Sequence, residues 1–291
     1  MPNPFSYSYI EAEDLELIES ALSGSSESLE ALVKKHQHYI YNVALKMVLS
    51  PVDAEDITQE VLILMVTNLS QFKGKSDFRT WLYRITFNHF LKSKKNFLEK
   101  AITSFDSYGK DLDAIEDIEL TEEEKIEQAE TIKEAKFGCM MGMLLCLNRE
   151  QRLVYILSEI FEADHSIGSE ILGISKANYR KRLERARKDL YQFMHNKCGL
   201  INTANPCRCA RKTTGFIKAG WVNKDQMKFN TGYLQTIAEA IDQKNAELNE
   251  SLENDYAQLF AQTPFQIKVH HQNLMRNVSL DKKIKSVFNL D

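Results

Sequence analysis

Aromatic, cationic and amide side chains alternate along residues 78–89 of this chain, in a mixture that suits an unpaired nucleic acid strand. Cations can follow phosphates, aromatic rings can stack on unpaired bases, and polar groups can read the edge of a flipped base. In a simpler interpretation, Phe78, Trp81 and Ile85 belong to the core and the cations form a solvated face. The residues of the mixture are Phe78, Arg79, Thr80, Trp81, Tyr83, Arg84, Phe87, Asn88 and His89.

A second candidate is the basic stretch from Ser175 to about His195, which has the pattern of a helix. Its apolar stripe (Tyr179, Leu183, Ala186 and Leu190) predicts a core-facing side. The cations and one amide lie off that stripe, mostly near the N-terminus, which is the end that a recognition helix presents to the major groove. A solvated basic helix is the alternative. The candidate DNA-reading residues are Lys176, Asn178, Arg180, Lys181 and Arg185.

Three cysteines and one histidine near the end of that helix could bind zinc, because an imidazole and three thiolates make a tetrahedral site. Zinc would order a segment whose own core is thin. The candidate ligands are His195, Cys198, Cys207 and Cys209. Reduced structural thiols and a redox-responsive pair are the alternatives. The remaining cysteines, Cys139 and Cys146, lie in a Met-rich apolar stretch that is typical of a core.

Helices must position these groups, since apolar residues recur at steps of three and four through most of the chain. Ser50 and Pro51 have the form of a helix start, and Gly74 and Gly173 interrupt the pattern. A short helix, the turn at Gly173 and the basic helix together predict a helix-turn-helix. Residues 102–124 are acidic without an apolar period and predict a mobile linker. The predicted helices span about 27–48, 53–69, 77–95, 148–161, 167–172 and 176–195, and helical periodicity returns at 230–262.

Charge is distributed in blocks, although the 291 residues together carry a formal net charge of only -4. Residues 72–100 hold eight Lys or Arg against two acids, and residues 175–228 hold fourteen against three. Between these blocks, residues 101–136 hold twelve acids against four Lys. Two basic blocks joined by an acidic connector suit two DNA-contacting modules.

Several classes of protein are disfavoured by what the sequence lacks. It contains no phosphate-binding glycine loop, no metalloprotease motif and no nucleophile motif, so we expect no enzyme. The acidic N-terminus and the lack of an apolar run of about 18 residues predict a cytoplasmic chain without a signal peptide or membrane span.

Two sequence blocks resemble region 2 of the sigma-70 family of RNA polymerase sigma factors, over about residues 27–97. Residues 53–61 read DAEDITQEV, and residues 78–85 read FRTWLYRI. The resemblance implies that the first helix binds the clamp coiled coil of the largest polymerase subunit, and that the second melts and reads the -10 element. The implied polymerase-binding positions are Asp53, Asp56, Gln59 and Glu60. The implied -10 positions are Phe78, Arg79, Thr80, Trp81, Tyr83, Asn88, Lys92 and Lys95.

A further stretch, from about 144 to 193, resembles region 4 of the same family. The matching fragments are LNREQR at 147–152, ILGIS at 171–175 and RLERAR at 182–187. This resemblance implies binding to the -35 element and to the flap of the second-largest polymerase subunit. The sequence departs from the family at Ile167-Gly168-Ser169, where Glu-Ile-Ala is usual, so the start of the first helix of the helix-turn-helix stays open.

The resemblance is to the small, extracytoplasmic-function type of sigma factor, and it implies an all-α fold and a non-catalytic promoter-specificity subunit. The expected parts are a region 2-like domain at 10–99, a flexible acidic linker at 100–125, a region 4-like helix-turn-helix domain at 126–195, and a Cys-containing, mostly helical extension at 196–291. We expect the extension to be autoregulatory or to bind a partner.

The expected partners are core RNA polymerase and promoter DNA, with an anti-sigma factor as a further candidate. We expect no required cofactor, and structural zinc in the extension is the one candidate ion. One alternative is a metal- or redox-sensing helix-turn-helix regulator that is not a sigma subunit, and another is an adaptor without promoter specificity. The block from Asp53 to Asn88 favours the sigma factor, because a plain regulator needs neither a melting helix nor a polymerase-binding helix.

Overall fold

A computed structural model of the chain describes residues 10–227, which form twelve α-helices and no β-strand. Within this range the only β-type pairing is a parallel bridge between Cys198 and Cys207. The prediction of an all-α fold is therefore confirmed, while the predicted helical segment at 230–262 lies outside the described residues. The described part divides into two compact units, one of residues 10–96 and 156–181 and the other of residues 97–155 and 182–227.

The first unit is built around four helices whose starts are encoded locally. The Ser25 hydroxyl accepts a hydrogen bond from the backbone N–H of Ser28 (3.2 Å), and the Ser50 hydroxyl accepts one from that of Asp53 (3.3 Å). Each serine satisfies a backbone donor that the first turn of a helix leaves unpaired, and Pro51 adds a preset backbone angle. The helices are α1 Glu11–Leu22, α2 Ser26–Val48, α3 Pro51–Thr67 and α4 Phe78–Lys92, with a 3-10 turn at Leu69–Gln71.

A buried ion cluster joins α1 to α2. The fully buried Asp14 carboxylate lies 3.0 Å from Nε2 of His36 and 2.9 Å from Nζ of Lys35. A carboxylate is tolerated in a protein interior only when it is paired, so α1 must lie where both partners reach it. Leu32 of α2 and Phe87 of α4 belong to the apolar core of this unit.

Two later elements complete the first unit. A single π-helical turn, Ile156–Ile160, is followed by α10, His165–Leu172, which packs against α4. The guanidinium of Arg84 on α4 donates a hydrogen bond to the carbonyl oxygen of Glu170 on α10 (2.9 Å). Part of α4 is therefore covered by the first helix of the predicted helix-turn-helix.

A buried carboxylate also organises the second unit. Glu99 accepts hydrogen bonds from Arg149 (2.6 and 2.9 Å) and from Arg152 (3.1 Å). Arg152 in turn donates to the backbone carbonyls of Leu144 (3.0 Å) and Leu147 (3.2 Å), at the end of a long helix. The helices of this unit are α5 Phe97–Ala101, α6 Phe105–Ala114, α7 Glu122–Glu127, α8 Ala129–Cys146, α9 Arg149–Tyr155 and α12 Cys209–Lys218, together with the later part of α11, Lys176–Lys197.

The acidic connector contains α6, a ten-residue helix, where the sequence predicted irregular chain. That expectation is wrong for this segment. Tyr108 and Leu112 are buried and form the apolar face of the helix, although acidic residues dominate the sequence around them. The connector acids beyond α6 are paired with distant cations: Nζ of Lys218 lies 2.8 Å from Glu116, and Nζ of Lys212 lies 3.1 Å from Asp117. These partners lie about a hundred residues away, so no local pattern could indicate them.

None of the helices within residues 10–227 is long and apolar enough to span a membrane.

Replacing Glu99 with Gln should destabilise the chain by about 3–5 kcal/mol, because two buried guanidinium groups would lose their counter-charge. Hydrogen bonds and charges from Arg149 and Arg152 outweigh burial and lower the pKa of Glu99. Its stabilising contribution should therefore be present at neutral pH and be lost as the pH falls through that lowered pKa.

Urea denaturation measures the loss. Glu130→Gln is the matched control, since Glu130 forms an exposed pair with Lys133 and should change stability by less than about 1 kcal/mol. Equal effects of the two substitutions would contradict a structural role for the Glu99 cluster.

The buried side chain of Lys46 on α2 should make the stability of the chain rise with pH above neutrality. Burial lowers the pKa of this amine to about 7, so the unfolded chain binds the extra proton between about pH 7 and its ordinary value near 10.5. The free energy of unfolding should increase by up to about 1.4 kcal/mol per pH unit across that window.

Lys46→Met should flatten this dependence, as measured by urea denaturation at pH 7, 8 and 9. Lys34→Met, which removes an exposed amine of the same helix, should leave the slope unchanged. A slope that Lys46→Met does not alter would show that this amine keeps its ordinary pKa.

Candidate functional site

The aromatic residues of α4 divide between the core and one face of the helix. Phe78, Thr80 and Tyr83 are buried, and Trp81 is half-buried. The Trp81 indole stacks on the ring of Phe78 (centroids 5.5 Å apart) and lies beside that of Phe72 (5.7 Å). Of the three residues that the core interpretation named, Phe78 is buried, whereas Trp81 and Ile85 are half-buried.

A cavity of about 350 Å³ opens between α3 and α4. This volume falls in the range of small-ligand pockets. Its walls combine an indole, three amides, an imidazole and an amine, which are groups that can stack on and hydrogen-bond to a base. The lining residues are Leu64, Asn68, Gln71, Trp81, Ile85, Asn88, His89 and Lys92.

Sequence reasoning included Trp81, Asn88 and Lys92 but missed Asn68 and Gln71. The two amides follow the end of α3 and are bonded to each other, with Nε2 of Gln71 donating to Oδ1 of Asn68 (2.8 Å). A pair of amides directly after a helix that faces the aromatic segment was the signal that could have indicated them.

The cations of the α4 segment occupy different environments. Arg79 is largely buried and lies 3.5 Å from Asp77. Asn88 and Lys92, which line the cavity, and Lys95 beyond it are exposed. The exposed set leads away from the cavity toward the end of α4, as a path for a phosphate backbone would require.

The acidic face of α3 is partly committed to internal contacts. Asp53 accepts a hydrogen bond from the amide of Asn96 (2.7 Å), and Glu60 lies 2.9 Å from Nε2 of His89. Asp56 is exposed, and Gln59 is half-buried. The four predicted polymerase-binding residues therefore lie on α3, with Asp56 and Glu60 facing solvent.

The helix-turn-helix is well defined. Asp164 caps α10 by accepting a hydrogen bond from the backbone N–H of Ser166 (2.7 Å), and the bonds from Ser166 lower the pKa of Asp164. Gly173 ends the helix at φ 63°, a conformation that suits glycine. Ser175 then caps α11 by accepting from the N–H of Asn178 (3.2 Å). The first helix thus begins at His165, which resolves the start that the sequence left open.

Gly168, where the sequence departs from the family pattern, allows a close approach between the two helices. A Cβ at this position would lie 2.4 Å from the ring of Tyr179, whose hydroxyl is 2.8 Å from that of Ser158. The bulk of Tyr179 on α11 therefore requires the glycine on α10.

The predicted recognition surface is accessible. Tyr179, Leu183, Ala186 and Leu190 are all buried, so the predicted apolar stripe is confirmed as core. The five candidate base-reading residues are exposed, and four of them lie in the first two turns of α11. They are Lys176, Asn178, Arg180, Lys181 and Arg185.

The cysteine segment differs from the predicted arrangement. The His195 side chain is exposed, while Cys139 of α8 lies within electrostatic reach of Cys209, Cys207 and Cys198. Burial, reinforced by the neighbouring thiols, raises the pKa of Cys139 and Cys207 and raises that of Cys209 to about 12. Among residues 10–227, no three His, Cys, Asp or Glu side chains converge closely enough to hold a metal ion.

Two family models match the chain, one over the segment that contains the cavity and the other over the segment that contains the helix-turn-helix. Sigma-70 region 2 matches residues 32–96, which include α3, α4 and the cavity. Sigma-70, region 4 matches residues 137–190, which include the helix-turn-helix.

Curated relatives of the chain are named as RNA polymerase sigma factors. The RNA polymerase sigma-H factor of Pseudomonas aeruginosa is 37% identical over 76 residues, a match that spans 26% of this chain and 39% of that protein. RNA polymerase sigma factor YlaC of Bacillus subtilis is 26% identical over 168 residues, spanning 58% of this chain and 92% of the relative. The ECF RNA polymerase sigma-E factor of Escherichia coli is 27% identical over 184 residues, spanning 60% and 91%.

A solved structure described as CnrH in complex with the cytosolic domain of CnrY aligns with a TM-score of 0.44 at 20% identity. The alignment covers 62% of this chain and 97% of that one.

Gly168→Ala should destabilise the helix-turn-helix by about 1–3 kcal/mol, because the added methyl group overlaps the Tyr179 ring. Combining it with Tyr179→Leu should cost less than the sum of the two single changes, since the smaller side chain leaves space for the methyl group. Urea denaturation of the two single variants and the double variant gives this coupling. Additive effects would show that the two residues do not constrain each other.

Proposed function

Because this chain belongs to the sigma-70 family of RNA polymerase sigma factors, in its extracytoplasmic-function group, we propose that it directs core RNA polymerase to promoters and initiates transcription there. The observation that carries the proposal is the presence of both matched regions, 32–96 and 137–190, in order on one chain. A regulator outside the sigma family is not favoured, since such a protein has no use for the first of these regions.

The cavity between α3 and α4 accepts an unpaired base of the -10 element in this proposal. Trp81 supplies a stacking surface, and the amides of Asn68 and Asn88 can hydrogen-bond to a base edge. The exposed cations Lys92 and Lys95 neutralise phosphates of the held strand. Phe78 acts indirectly, because its buried ring stacks on the indole, and Thr80 and Tyr83 are buried in the core of the unit.

The N-terminal half of α11 reads the -35 element. Arg180 and Lys181 are placed to pair with guanine, and Asn178 with adenine, in the major groove. The exposure of these side chains and the caps at Asp164 and Ser175 support this assignment.

The acidic face of α3 binds a basic surface of core polymerase through Asp56 and Glu60, with Gln59 beside them. Asp53 contributes mainly by holding Asn96 at the end of the region 2 segment. The chain itself catalyses no reaction, since polymerase forms the phosphodiester bonds, and this partner places its activity in the cytoplasm. An anti-sigma factor that covers these surfaces is a further candidate partner, and the extension from residue 196 has a regulatory or partner-binding role.

Reconstitution of the full chain with core polymerase on a promoter library tests the proposal. We expect selective run-off transcription from a subset of promoters that share a -35 and a -10 element. If the chain binds core polymerase but no transcription is initiated, the proposal is contradicted and an adaptor without promoter specificity is favoured.

Arg180→Ala should reduce run-off transcription from the selected promoters by roughly 10- to 100-fold, the loss expected for one base-reading contact. Lys188→Ala removes an exposed cation from the far half of the same helix and should have little effect. Affinity for core polymerase, measured by fluorescence anisotropy, should be the same for both variants. An equal loss of transcription in both would indicate that α11 contributes only general positive charge.

A further inference from the structure

Four of the five cysteines lie on elements that pack or pair with one another in the second unit, although they come from three separate parts of the sequence. Cys139 lies on α8, and Cys209 is the first residue of α12, which packs against α8. Cys198 follows α11, and its backbone is paired with that of Cys207 by the parallel bridge. The fifth cysteine, Cys146, lies about two turns further along α8.

The loop that carries three of these thiols is held by side chains bonded to its own backbone. Arg208 donates to the carbonyl oxygens of Cys207 (2.9 Å) and Thr203 (2.8 Å), and Asn205 donates to that of His195 (2.8 Å). Gly199 has no room for a side chain, since a Cβ there would lie 2.1 Å from the Cys207 carbonyl oxygen. These contacts therefore hold the loop in a defined conformation.

The surroundings of the cluster are apolar on one side. The Tyr108 hydroxyl donates a hydrogen bond to the backbone carbonyl of Cys139 (2.9 Å), and its ring stacks on Trp221 (centroids 5.9 Å apart, planes 9° apart). Trp221 stacks in turn on Phe216 of α12 (5.3 Å). These aromatic contacts tie α6, α8 and α12 together beside the cysteines.

We propose that Cys139, Cys198, Cys207 and Cys209 form a tetrathiolate site for a structural zinc ion. Four protein sulfurs complete the tetrahedral shell of Zn²⁺ and leave no position open for a substrate. As they stand, the thiols do not converge on one point, so binding must draw them together. On binding, the four thiols release four protons and form four Zn–S bonds.

Mutual repulsion among the sulfur atoms also favours a cation. Four neighbouring thiolates would repel one another, and a divalent ion among them turns that repulsion into binding energy.

The proposed ligand set differs from the one that the sequence suggested. Cys139, from the apolar helix α8, replaces His195, whose side chain is exposed at the end of α11. Zinc would therefore fasten the extension to α8, whereas the earlier set would only have closed a loop onto the end of α11.

The full chain, purified in the presence of zinc chloride and desalted, should contain about one zinc per chain by inductively coupled plasma mass spectrometry. Single Ser variants of Cys139, Cys198, Cys207 and Cys209 should lose most of the metal. Cys146→Ser and His195→Ala are the matched controls and should retain it. Cobalt(II) in place of zinc should give the absorption of a tetrahedral thiolate centre in the unmodified chain, a readout that does not depend on any variant folding.

Three outcomes would overturn the proposal. The unmodified chain could contain no zinc and show no cobalt thiolate band. Metal could be retained by Cys139→Ser but lost from His195→Ala, which would restore the set suggested by the sequence. Intact mass could instead show the loss of two hydrogens and a Cys198–Cys207 disulfide under the same conditions. None of these results depends on transcription, so the proposed function is tested separately.

Discussion

The Glu99 carboxylate, enclosed by the guanidinium groups of Arg149 and Arg152, is the interaction on which the second unit depends. The residue follows directly after the segment matched to region 2, and its partners lie in the segment matched to region 4. Because Arg152 also binds the last carbonyls of α8, one buried charge fixes where α5, α8 and α9 lie. A neutral substitute of the same shape would keep the packing but not the charge that holds both arginines in the interior.

Local chemistry is the part of this fold that the sequence made predictable. Serine caps, Pro51 and the spacing of apolar residues indicated the main helices, and the stripe from Tyr179 to Leu190 indicated which side of α11 is buried. What could not be predicted depends on partners far apart in the chain. The fold of the connector around α6 requires cations from the extension, and the approach of Cys139 to Cys207 requires α12 to pack on α8.

In the candidate DNA surface, too, the types of residue were predictable from the sequence, whereas contacts between separate segments were not. The types of residue on α4 were enough to suggest single-strand binding, yet half-burial of Trp81 and burial of Phe78 follow from contacts with Phe72 that spacing alone does not reveal. The cavity needs α3 as its second wall, so Asn68 and Gln71 could be assigned to it only from the structure. The departure at Gly168, puzzling in the sequence, has a steric reason in Tyr179.

The ion pairs between connector and extension also bear on how the proposed DNA binding should respond to salt. Arg211, Lys212 and Lys218 already neutralise carboxylates between residues 116 and 119. A protein cation that neutralises a DNA phosphate releases a condensed counterion into solution. The number of counterions released sets how steeply affinity falls with ionic strength. The formal charge of residues 175–228 therefore overstates the number of phosphates that this part of the chain can neutralise. Under the proposed function, the salt dependence of promoter affinity would instead count the exposed cations at the end of α4 and along α11.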